Sequence, residues 1–427
     1  MSAKRCLLVV TGCLGIAVAG LASEKTPGLD RRIDAYVQPF LADGHLSGTL
    51  LVARAGQVLY EKSFGMANYE LGVPNTPETR FCVASITKPM TVALAAQLRD
   101  QGKLDAADKL SKWIPDFPRG DAIDVGQLLN HRAGIPHRVT TDRDETVPLD
   151  AADMVRLAAA AELLFEPGTG STYSSTGYAI LARVLELASG LSYGELIQRN
   201  VFAPVGMTHS AHADQRQLLA GRASSYLPRA DGLINAPLKD LSFLVGAGSV
   251  YSTPHDLHLL IQAIVSGRLG EAVKRALLRP TGLSWNGITN GFRAFAEYDS
   301  TDEVEVIFAG NLQTGAADLL RRDVPRIVKG EEVATPARLA IKPVELPVNT
   351  LERYTGTYET RPGSTIELTV EDGQLWASGW LLIPTSETTF FSPQDYAEVA
   401  VVFDAQGAVE RLDWAPPGNN WPCPKLK

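Results

Sequence analysis

The sequence predicts an α+β fold in which one antiparallel sheet carries a helical subdomain and a small all-β domain follows. Three observations predict it. Strand-like segments stand at both ends of residues 28–330 and enclose a run of helix-like ones. A stretch without period, 331–347, then breaks the pattern with charges and prolines and reads as a linker. From 348 to 427 the chain alternates in short strands separated by turn residues.

Residues 1–22 have the form of a signal peptide. Lys4 and Arg5 precede an apolar run from Cys6 to Leu21, and Ala17-Val18-Ala19 or Gly20-Leu21-Ala22 offers a small-residue cleavage site. The expectation is an exported protein, periplasmic or secreted. Val10-Thr11-Gly12-Cys13 is similar to a lipobox, which leaves a lipid anchor at Cys13 as the alternative. No later segment is apolar enough for a transmembrane span. Cleavage would leave Cys82 and Cys423, enough for one bridge and too few for a disulfide framework. The net charge of −8 comes without long basic runs, which argues against nucleic acid as a partner. A hydrophobic content of 45% suits an ordinary globular protein.

The elements follow in order. Ile33, Tyr36, Val37, Phe40 and Leu41 recur at helical spacing within 30–41. Residues 48–66 read as a hairpin turning at Ala55-Gly56. An apolar helix follows Ser85 and ends at Gly102, and further helices are expected over 125–131, 151–161, 177–188 and 193–201. Residues 137–150 are polar and charged, a surface loop near the site. The middle, 209–244, shows little period. Thr253-Pro254 caps a helix over 255–265, and 271–278 forms a shorter one. The pattern then switches to strands: one ending at Trp285-Asn286-Gly287, then 292–298 and 304–309, before a helix over 315–328. The simplest closure sets the N-terminal hairpin beside these last strands in one sheet, with the catalytic groove between sheet and helices.

The chemistry centres on Ser85-Ile86-Thr87-Lys88. Residues three apart on a helix share a face, so this hydroxyl and amine can meet. A serine hydroxyl needs a neighbour to take its proton, and a lysine held neutral can do so. Pro89 excludes the carbonyl four residues back, which belongs to Ser85, and so places Ser85 at or before the first turn. A capping serine followed by a solvated lysine would give the same four letters.

The surrounding segments decide between these readings. Phe165 to Tyr178, with Tyr173-Ser174-Ser175 inside it, resembles the second active-site motif of class C β-lactamases and their relatives. Leu128 to Pro136 and Gly246 to Leu257 resemble segments common across the same serine β-lactamase-related group, which includes penicillin-binding proteins. The resemblance covers roughly residues 30–330, with the motifs in the group's order. It implies a β-lactamase/transpeptidase-like fold and a serine hydrolase, with Ser85 as nucleophile, Lys88 as its activator and Tyr173 as a second acid/base group. It also implies an oxyanion hole shared between the N–H of Ser85 and the strand near Ile288. Tyr354-Thr355-Gly356-Thr357-Tyr358 resembles the start of the lipocalin-like domains found behind such hydrolases, and no chemistry is assigned to that domain.

The chain departs from the group's pattern at two places. Ser175 stands where relatives have asparagine, and Trp285-Asn286-Gly287 stands where many have Lys-Thr-Gly. A Trp-x-Gly third motif is similar to family VIII carboxylesterases, so Ser175, Trp285, Gly287 and Ile288 are the expected substrate-binding residues. Losing a charged hydrogen bond weakens carboxylate substrates by roughly ten- to a hundredfold. The expected substrate is therefore a neutral ester or amide, small molecule or peptide. A D-amino-acid peptidase, a weak β-lactamase and a non-catalytic penicillin-binding-fold protein are the alternatives. No cofactor is expected. No metal is either, since His255/His258 and His209/His212 lack carboxylate or cysteine companions at fixed spacing. Gly168-Thr169-Gly170 lacks the lysine of a phosphate loop.

Overall fold

The computed structural model describes residues 28–214, 216–336 and 341–426. The signal peptide and the lipid site at Cys13 lie outside the described residues. Among those residues no helix is long and apolar enough to cross a membrane.

Five antiparallel strands form the central sheet: β1 (Gly48–Arg54), β2 (Gln57–Phe64), β3 (Gly282–Thr289), β4 (Phe292–Asp299) and β5 (Val304–Gly310). Their order is β3-β4-β5-β1-β2, so the N-terminal hairpin does sit beside the last strands. Side chains alternate between faces along a strand. On one face Leu50, Val52, Phe295, Val306 and Phe308 pack with α1 (Leu29–Ala42) and a late helix, Ala316–Val328. On the other, Leu51, Ala53, Ala294, Ala296 and Ala309 meet the helical subdomain. The alanines on this second face leave room for α2 (Thr87–Asp100), which is buried along most of its length.

Three expectations needed correction. The strand expected to end at Trp285-Asn286-Gly287 continues to Thr289, because β3 pairs with β4 in unbroken register from Gly282 to Thr289. The aperiodic middle contains a small hairpin, Tyr226–Arg229 with Gly232–Asn235, too short and too mixed in polarity for a period-two signal. The helix expected over 193–201 is regular only from Tyr193 to Ile197 and then widens into a π turn. Cys82 and Cys423 are both free and buried, so they form no bridge.

The C-terminal part is a single eight-stranded sheet in sequential order, from Gly356–Arg361 to Trp421–Pro424. A bridge between Tyr358 and Lys425 brings its two edges together, which makes it a near-barrel around Tyr354, Tyr358, Leu382, Phe390 and Leu412. Leu381, Ile383, Phe391 and Tyr396 face outward from it and join the core formed with α1. The rings of Phe40 and Tyr396 meet edge to face at 5.0 Å.

Candidate active site

Ser85 sits in a tight turn, Ala84–Ile86, that leads directly into α2. The turn hangs from the short strand Phe81–Cys82, which pairs with Val250–Ser252, and Val83 N–H donates to Val250 O at 2.9 Å. Ala84 is held at φ 47°, a left-handed conformation that disfavours any side chain. β3 presses against this turn. A Cβ at Gly287 would lie 2.2 Å from Val83 O, so only glycine permits the approach.

Lys88 is buried beneath the serine, 5% exposed. Its Nζ lies 3.2 Å from Ser85 Oγ, 3.2 Å from Ser175 Oγ and 2.9 Å from Ala247 O. No carboxylate is among these partners. Burial, with no opposite charge to offset it, pushes the amine down to about 7. A neutral amine has two N–H donors and one lone pair. Ala247 O can only accept and Ser175 Oγ can accept, which leaves the lone pair for the proton of Ser85.

The turn through Gly168 and Gly170 brings Tyr173 over the same point, and its phenol donates to Ser85 Oγ at 2.7 Å. Burial raises this phenol above its ordinary value, so it carries its proton at neutral pH. Two histidines hold the ring. The centroids of His131 and His137 lie 4.7 Å and 5.4 Å from that of Tyr173. Their Nδ1 atoms accept from consecutive backbone amides, Ser174 N–H at 3.1 Å and Ser175 N–H at 3.2 Å. Accepting there requires neutral rings. Burial and the charge of Lys88 push His131 down to about 4 and lower His137 as well. Ser174 then caps the helix Ser175–Ser189 by accepting from Gly177 N–H at 2.8 Å.

Ser85 and Tyr173 open onto a cavity of about 700 Å³. Of the four residues expected to bind substrate, Ser175 and Ile288 line it. Gly287 instead shapes it through its contact with the turn. Trp285 lines a different cavity beside Leu129 and Tyr178, whereas its neighbours Asn286 and Ile288 line the Ser85 one. The tryptophan therefore does not meet the Ser85 cavity. Sequence reasoning missed Asn286, the two histidines, Ala247 O and Trp380, which reaches the cavity from the C-terminal domain. His131 lies inside a quoted motif and could have been found. Trp380 carries no local signal. Among the described residues no group of three His, Cys, Asp or Glu side chains converges to hold a metal ion.

Comparison with known proteins places this geometry in context. A family model described as Beta-lactamase matches residues 33–315, and one described as a domain of unknown function, DUF3471, matches 340–421. Penicillin-binding protein 4* of Bacillus subtilis (strain 168) is 26% identical over 407 residues, spanning 81% of this chain and 87% of that protein. Teichoic acid D-alanine hydrolase of Staphylococcus aureus (strain MRSA252) is 30% identical over 239 residues, 56% of this chain and 58% of that one. The structure of D-amino acid amidase from Ochrobactrum anthropi SV3 with D-phenylalanine superposes with a TM-score of 0.64 at 21% identity. That match covers 71% of this chain and 99% of the amidase, and it speaks to fold alone.

Proposed function

The chain belongs to the beta-lactamase family, and on that premise we propose that it is an exported, esterase-like serine hydrolase acting through an acyl-Ser85 intermediate on an ester or amide. The observation that carries this reading is the buried Lys88 amine, shared between Ser85, Ser175 and Ala247 O and held near neutrality. In it, Lys88 takes the Ser85 proton as Oγ attacks the carbonyl carbon. The N–H groups of Ser85 and Ile288 receive the oxyanion, a donor pair in which each member is typically worth about 3–4 kcal/mol. Tyr173 passes its phenolic proton to the leaving oxygen or nitrogen, and the proton held on Lys88 restores the network. Water then attacks the acyl ester along the same path, and the acid and free Ser85 result.

The esterase preference rests on β3, which brings no cation to the cavity where a Lys-Thr-Gly strand would supply one. A D-amino-acid ester or amide is the second reading, favoured by the 30% identity to the teichoic acid D-alanine hydrolase. Export rests on the Lys4-Arg5 and apolar pattern of the first residues.

Labelling of the purified protein with a fluorophosphonate probe and with a fluorescent penicillin tests the assignment. We expect strong fluorophosphonate labelling that disappears in Ser85→Ala, and weak penicillin labelling. No Ser85-dependent label from either reagent refutes the hydrolase, and penicillin labelling equal to that of a penicillin-binding protein refutes the substrate preference.

A further inference from the structure

The Ser85 cavity does not end within the catalytic domain. A smaller cavity of about 80 Å³ adjoins it, and two residues, Gln313 and Trp380, line both. Trp380 opens the strand Trp380–Pro384 of the C-terminal near-barrel and is 38% exposed, although it sits where the two domains meet. Trp376, on the strand before it, forms a second wall with Pro228 and Pro393. The Arg229 guanidinium lies 5.3 Å from the centre of the Trp376 ring and donates to Pro228 O at 3.1 Å. The small cavity has room for one end group of a longer molecule.

Gln313 stands at the junction of the two cavities. Its side chain is 5% exposed, and Gly291 N–H donates to its Oε1 at 2.8 Å. Only the oxygen of an amide accepts, so this contact fixes which end faces Gly291 and leaves the NH2 end directed elsewhere. Among the described residues nothing accepts from Nε2, and the atom is not sealed in the interior. Two N–H donors thus open onto the cavities that Gln313 lines. A buried amide left without a partner costs free energy, which a ligand oxygen recovers. Charge is settled elsewhere on the lining, where Arg138 and Lys239 are matched by Glu145 and Asp142.

From this geometry we infer that the domain junction is a distal substrate subsite for a group pairing an uncharged oxygen acceptor with an aromatic ring. Gln313 Nε2 donates to the oxygen, and the ring packs between Trp380 and Trp376. Flat walls of indole and proline suit a planar ring, and a neutral amide suits a carbonyl oxygen. The inference rests on the hydrolase reading and deepens it. The substrate becomes an extended ester or amide, whose site the catalytic domain does not complete alone.

Esters that differ at one position test it. 4-Nitrophenyl 5-oxo-5-phenylpentanoate against 4-nitrophenyl 5-phenylpentanoate exchanges a carbonyl for a methylene on the acyl side. The acetates of 5-oxo-5-phenylpentanol and 5-phenylpentanol do the same on the leaving group. The 5-oxohexanoate and 5-oxohexyl counterparts replace the ring by methyl. In the wild type we expect one side to favour the ketone by about three- to tenfold in kcat/KM, with KM carrying the difference. On that side phenyl should exceed methyl by about tenfold. Gln313→Glu keeps an oxygen for Gly291 N–H and removes the donors, so the ketone ratio should fall to one or below. Trp380→Leu should lower the ring ratio instead. Each ratio is taken within one protein, so a general loss of activity cancels, and the wild-type ratios stand even where a variant fails to fold. Binding to Ser85→Ala, followed by tryptophan fluorescence, should rank the esters in the same order. Equal values within the pairs on both sides overturn the inference, as does a ketone preference that outlasts Gln313→Glu or a ring preference that outlasts Trp380→Leu. Ranked binding without any Ser85-dependent turnover overturns the hydrolase reading instead.

Discussion

The pH dependence of acylation should follow the Lys88 amine. With burial holding that amine at about 7, about half of the molecules carry a neutral lysine at pH 7. A lysine at its ordinary 10.5 would be neutral in only about 3 molecules in 10,000. The pocket therefore raises the reactive population by about a thousandfold. The sign follows from the role: a base must be deprotonated, so kcat/KM on a 4-nitrophenyl ester should be low at pH 5 and rise with unit slope through about 7. Tyr173 should add no falling limb below pH 10, since burial raises its phenol above the ordinary value and the acid form persists. Lys88→Ala should lower turnover by about 10²–10⁴ and erase the rise. Initial rates across pH 5–10 in buffers of constant ionic strength provide the measurement. A midpoint near 10, a profile without a rise, or an unchanged midpoint in Lys88→Ala would refute the reasoning.

Two further perturbations probe the walls of the site. Gly287→Ala places a methyl 2.2 Å from Val83 O, so β3 must move off the Ser85 turn. We expect kcat to fall about a hundredfold while circular dichroism keeps the native spectrum, and full activity would contradict the close approach. Trp380→Ala removes the aromatic that the C-terminal domain contributes to the cavity. KM for a naphthyl ester should rise about tenfold, the usual worth of a buried ring face, and an unchanged KM would remove that domain from substrate binding.

What could be read in the sequence was local or periodic. Ser85 and Lys88 are three residues apart, and Pro89 constrains their turn by covalent geometry alone. The closure of the sheet also followed from order, since strands at both ends of a helical block have one simple way to pair. The rest depends on contacts between distant segments. Trp285 shares a face of β3 with Gly287, and which cavity its ring lines depends on the residues packed there from distant segments, Leu129 and Tyr178 among them. The neutral rings of His131 and His137 depend on amides roughly forty residues further on. The meeting of Glu145 with Lys239 depends on a loop whose polar composition reads only as surface. Ser175, which stands where relatives have asparagine, is one of the three partners of Lys88, a contact with a residue 87 positions away that no local pattern announces.

Leu381, Ile383, Phe391 and Tyr396 share one apolar seam with α1 and the helix behind it, and this binds the history of the two domains together. Such a pair cannot be reshuffled like beads on a string. A recombined chain that acquired a different C-terminal domain would inherit Phe40 and its neighbours facing side chains of the wrong shape. Only a newcomer bringing a similar apolar quartet, in the same places, could be accepted in exchange.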